Sequence, residues 1–136
     1  MALHLIKLAV GCDSIRELKQ WVSERMATAK KKGLPQRHIH TTRMTPKREE
    51  ELLAGGSLYW VIKGAILARQ RILGLAERRG ADGIARCALI LDAEVIRTEA
   101  AARRAFQGWR YLAASESPRD LPKGRVADDA LPPELA

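Results

Sequence analysis

Aromatic residues are scarce: three tryptophans, two tyrosines and one phenylalanine in 136 positions. A core must therefore be built mostly from aliphatic side chains, and each ring is informative by where it falls. Cysteine is scarcer still. Cys12 and Cys87 stand 75 positions apart, which excludes a disulfide framework and a CxxC motif and suits a reducing compartment. Long apolar runs are missing too. The longest stretch free of charge, Leu52 to Ile62, has eleven residues, about half of what a helix needs to cross a bilayer. The apolar amino-terminal run from Leu3 to Val10 is broken by His4 and Lys7, so a cytoplasmic location is expected. There is no Walker loop, no GxGxxG and no GxSxG, and no cofactor is implied. His38, His40, Cys12, Cys87 and Asp13 lack the spacing of a zinc site, and no metal is expected.

Acidic residues are the other deficit, at 16 against 24 lysines and arginines, for a net charge of +8. From Arg16 to Arg48 there are ten cations (Arg16, Lys19, Arg25, Lys30, Lys31, Lys32, Arg37, Arg43, Lys47 and Arg48) against Glu17 and Glu24, so this segment alone carries +8. The basicity is regional, which favours a polyanionic partner. The lysine triplet taken alone equally suits the end of a helix, where cations complement the macrodipole.

With 46% apolar residues the chain is long enough for one ordinary globular domain. Leu3 to Val10 reads as a strand apolar on both faces. Asp13-Ser14 followed by Glu17 has capping-box spacing and opens a helix that runs to about Lys31, with Ile15, Leu18, Val22, Met26 and Ala29 on one stripe. Arg37 to Met44 reads as a strand, and Thr45-Pro46 as the start of a short helix ending at Gly55-Gly56. Ser57–Lys63 and Ala65–Leu73 read as strands bent or joined at Gly64. Ile84–Leu91 and Glu94–Glu99 read as a pair turning at Asp92-Ala93. The expectation is an α+β domain over residues 1–114, with a curved mixed or antiparallel sheet or small barrel, one long N-terminal helix and one short one. Residues 115–136 hold four of the six prolines and read as a loose tail.

The strings His40-Thr41-Thr42-Arg43-Met44, Gly56-Ser57-Leu58-Tyr59-Trp60-Val61-Ile62-Lys63-Gly64 and Phe106-Gln107-Gly108-Trp109-Arg110-Tyr111-Leu112 resemble those of an uncharacterised alphaproteobacterial family, a domain of unknown function. The element order is more loosely similar to the PUA-like superfamily, small barrels that include RNA-binding modules and ASCH proteins. The glycine-lysine-glutamate-arginine signature of ASCH domains is not reproduced. This second likeness implies a barrel fold and no activity of its own.

Tyr59 and Trp60, then Phe106, Trp109 and Tyr111, gather five of the six rings into two segments accompanied by Arg69, Arg71 and Arg110. Rings beside guanidinium groups suit unstacked bases, although Trp60, on a strand face with Leu58 and Ile62, reads as core. The leading expectation is an RNA-binding module for tRNA or rRNA. Lys19, Arg25, Lys30, Lys31, Lys32, Arg43, Lys47 and Arg48 would meet phosphates, and Tyr59, Trp109 and Arg110 would line a cleft. Lys63, Arg69 and Gln70 complete the candidate set, as polar residues in segments otherwise suited to burial. The alternative is an ASCH-type amide or ester hydrolase in which desolvation activates Lys63 as an amine nucleophile. A third reading is an interaction module with an acidic protein partner. No membrane association is expected, and oligomeric state is not legible.

Overall fold

The computed structural model describes residues 3–34, 37–104 and 106–122. The chain opens on β1 (Leu3–Leu8), so the longer helix, α1 (Ile15–Lys31), is the second element. Ser14 caps α1: its hydroxyl accepts from the Glu17 amide at 3.1 Å, while the Glu17 carboxylate accepts from the Asp13 amide at 2.6 Å. These reciprocal bonds satisfy free amides at the helix start. Ile15, Leu18 and Val22 are the buried stripe.

β2 (His38–Thr42) follows, then α2 (Glu49–Leu53). Thr45 and Pro46 do not start α2, as the sequence suggested; they lie in the preceding loop and Arg48 is the cap. Glu49, Glu50 and Glu51 fill the first turn, where negative charge complements the helix dipole. Gly56 then passes between two backbones. A Cβ there would overlap the Leu3 carbonyl oxygen and lie 2.5 Å from that of Leu52, so the position requires glycine.

β3 (Ser57–Ile62) and β4 (Ala65–Arg79) form a hairpin closed by Lys63-Gly64. Both turn residues have positive φ, 48° and 83°, as a two-residue turn matched to strand twist requires. β4 is 15 residues long, well past the expected end at Leu73, because backbone pairing with β5 (Ala85–Leu91) carries Glu77, Arg78 and Arg79 into the sheet. β6 (Ile96–Ala102) continues along the same edge of β4. β5 and β6 are therefore not a hairpin turning at Asp92-Ala93. The Asp92 amide donates to the Arg71 carbonyl at 2.9 Å, which keeps the chain against β4 as it passes from one strand to the next. β7 (Trp109–Ala113) pairs with β1.

The result is a mixed seven-stranded sheet ordered β2-β5-β4-β3-β1-β7, with β6 also on β4. β1 and β3 are its parallel pair. The path ends at β2 and β7, which do not pair with each other, so the sheet is open and the barrel expectation is corrected. Under α1, Leu5, Leu18, Leu58, Trp60, Ile72 and Leu89 belong to the larger core; Ile6, Tyr59, Val61, Ile66 and Leu112 make a second one. β3 is buried throughout because both cores draw on its alternating side chains.

The beginning of the expected loose tail is packed. The Glu99 amide donates to the Arg119 carbonyl and the Leu121 amide to that of Arg97. Asp120 accepts two bonds from the Arg69 guanidinium, at 2.8 and 2.7 Å. Positions 123–136 lie outside the described residues.

Candidate nucleic-acid interface

The C-terminal half of α1 lies over β2 and β5 and leaves a groove of about 380 Å³. Arg25 and Lys32 reach it from the helix, two turns apart on one face; Arg37 comes from the approach to β2 and Arg78 from the far end of β4. Among the described residues, no carboxylate lines it. Its apolar surface comes from Ala29, Leu34, Ile39 and Ile90, with Ile39 and Ile90 opposite each other in the β2–β5 register. Two other hollows have mixed or negative character. One of about 360 Å³ sets Arg69 and Arg71 against Asp92 and Glu94, and one of about 400 Å³ includes Glu17 and Glu24.

Arg25 is held in place from below. Its Nη1 donates to the Ile39 carbonyl at 2.7 Å and approaches His38 Nε2 at 3.4 Å, and its guanidinium lies 4.2 Å from the Trp21 ring centroid. Beneath it runs a buried polar network. Gln70 Oε1 accepts from Trp60 Nε1 at 2.9 Å and faces His38 Nδ1 at 3.0 Å, while Gln70 Nε2 donates to the Asp92 carbonyl at 2.8 Å. An indole nitrogen only donates, so the shared Gln70 atom is its oxygen and His38 carries its proton on Nδ1. His38 Nε2 is then the acceptor that faces Arg25.

His40 sits beside this network, its ring 5.2 Å from Trp60 and 6.1 Å from Trp21, with Nε2 buried and without a hydrogen-bond partner. Burial, aided by the charge of Lys7, lowers its pKa to about 4. Burial also lowers His38, and burial followed by the charge of Arg69 lowers His4. All three rings are neutral at pH 7. Between pH 6.5 and about 4 the unfolded chain binds the His40 proton and the folded chain does not, so stability is full above 6.5 and falls on acidification. Urea titrations at pH 7 and pH 5 should show a loss of about 2 kcal/mol from His40 alone, and His40→Gln should flatten the profile. An unchanged profile in the variant contradicts this.

The other sequence-derived candidates are dispersed. Lys30 and Lys31 occupy the last turn of α1 beside Lys32, and all three are exposed. Lys19 is half-buried on α1 outside the groove, and Arg43 is exposed after β2. Lys47 and Arg48 belong to a loop clasped by the carboxy-terminal aromatic segment. Both their amides donate to the Tyr111 hydroxyl, at 3.0 and 3.3 Å, and the Trp109 indole donates to the Met44 carbonyl at 2.8 Å. Arg110 lies over Phe106 at 4.9 Å. These rings hold a loop, and with Tyr59 only 4% exposed the expected aromatic-arginine cleft is not assembled.

Gln70 is wholly buried in the network just described. Arg69 is committed to Asp120 and to the Ser57 hydroxyl, which lies 2.7 Å away. Lys63 is exposed in its hairpin turn, so the desolvation that the hydrolase reading requires is missing. In the sequence Arg37 stands out only as part of the basic segment, and Arg78 is outside it. The Arg78-Arg79 pair is a visible signal, but only the length of β4 brings Arg78 to the helix. Among the described residues, no three His, Cys, Asp or Glu side chains are grouped to hold a metal, and no helix is long and apolar enough to cross a membrane.

The family model described as Protein of unknown function (DUF1489) matches residues 5–136, nearly the whole chain, and the chain belongs to that family. No curated protein and no solved structure matches it.

Proposed function

We propose that this family member is an RNA-binding module whose phosphate-contacting surface is the groove between α1 and the β2–β5 end of the sheet, with tRNA or rRNA as its target. The observation that carries this reading is that the described residues around one concavity include four cations and no carboxylate. Lys30 and Lys31 extend the positive surface along the last turn of α1. Clustered cations displace the counterions condensed on a nucleic acid, which is the main source of affinity in such complexes. Arg25 adds preorganisation, since a guanidinium already fixed on Ile39 and Trp21 loses little freedom on binding.

Purification from its own cells at moderate salt tests the reading. Absorbance at 260 nm in excess of the protein's own, abolished by ribonuclease, is the expected result. Protein free of RNA, or carrying an acidic protein instead, contradicts it.

A further inference from the structure

We infer that the groove receives one unpaired base of a single-stranded RNA segment on its aliphatic floor, while the phosphates of that nucleotide and of its neighbours along the strand meet the four cations. The inference rests on the RNA-binding reading and narrows it to single-stranded segments. Size is the first argument. At about 380 Å³ the concavity lies near the lower end of small-molecule sites, roughly 300–1,000 Å³, which suits one nucleotide and is far too small for a duplex.

The floor is the second argument. A surface that meets only a duplex backbone has no use for apolar groups, because the bases of a helix are stacked inside and out of reach. Here Leu34 is 56% exposed at the edge of the groove, and Ile39 and Ile90 lie half-buried at its base. A base laid on them covers exposed aliphatic surface while the flanking guanidinium planes offer stacking partners. The polar lining is the third argument. Among the described residues its one hydroxyl, on Thr28, already donates to the Glu24 carbonyl at 3.1 Å, and none of them brings an amide or carboxylate side chain to the groove. With few groups among them to read a base edge, recognition tolerates any base.

Fluorescence anisotropy with labelled oligouridine, oligoadenosine and a blunt RNA duplex of equal length tests this in the intact protein. Both single strands should bind about tenfold more tightly than the duplex, with little difference between them. Leu34→Ser, an exposed position where folding is not at stake, should weaken single-strand binding about fivefold and leave the salt dependence and the duplex affinity unchanged. Duplex binding as tight as that of the single strands, or a Leu34→Ser variant that binds oligouridine like the parent, overturns the inference and leaves the RNA-binding reading standing. Absence of salt-sensitive binding to strand and duplex alike overturns both.

Discussion

Gln70→Leu should lower the free energy of unfolding by about 3 kcal/mol or more. The substitution nearly preserves volume and removes every polar contact that the side chain makes. The Trp60 indole, the His38 Nδ1 proton and the Asp92 carbonyl each lose their Gln70 partner, in a region where Trp60, His38 and Gln70 are all wholly buried. An unsatisfied buried donor costs about 1–3 kcal/mol, and two are left here. The damage also reaches the groove. With Nδ1 unpaired, His38 no longer has a fixed tautomer, and its Nε2 stops being a dependable acceptor for Arg25. A modest loss of RNA affinity should accompany the loss of stability. Urea denaturation measures the first effect, and a change below about 1 kcal/mol would mean that the network does not hold the sheet as described.

Charge reversal at the groove should have the larger functional effect. Arg37→Glu combined with Arg78→Glu replaces two of the four lining cations by carboxylates, taking the local charge from +4 to zero. Both side chains are exposed, so folding stability should stay within about 0.5 kcal/mol of the parent. RNA affinity at low salt should fall by about 100-fold or more, because phosphate contacts are lost and repulsion is added. Lys63→Glu is the control for charge alone. It makes half that change of charge at an exposed hairpin turn at the opposite end of β4, and its effect should be small. A loss in Lys63→Glu equal to that of either groove substitution made singly would indicate that net charge, and not the groove, governs binding.

Local signals in the sequence identify local structure well here. The Ser14–Glu17 cap, the α1 stripe and the apolar run of β1 are all visible in the sequence and all present in the fold, since each depends on neighbours within a few residues. The length of β4 is not visible. Glu77, Arg78 and Arg79 look like the end of a strand, but main-chain hydrogen bonds to β5 hold them regardless of side-chain polarity. The burial of both faces of β3 is not visible either: Tyr59, which the sequence offers as a residue lining a cleft, lies in the second core. Lys63-Gly64 closes a hairpin with positive φ at both positions, a conformation for which lysine gives no warning.

The same distinction separates the parts of the candidate site. The basic segment from Arg16 to Arg48 is legible as charge and supplies Arg25, Lys32 and Arg37. Arg78, about forty residues further on, arrives only through tertiary structure. Gln70 and Arg69 stand out in the sequence as polar residues in a strand, and the structure pairs both, with Trp60, His38 and Asp92 for one and Asp120 and Ser57 for the other. Polar groups within strands need partners, and here the partners are internal.

The salt dependence of affinity for a labelled oligouridine tests the groove's role most directly. Four phosphate contacts on a single strand predict a slope of log K against log salt of about −3, reduced to about −1.5 in Arg37→Gln/Arg78→Gln. A slope near zero in the parent, or one that the double substitution leaves unchanged, would contradict the assignment of the groove as the place where RNA phosphates bind.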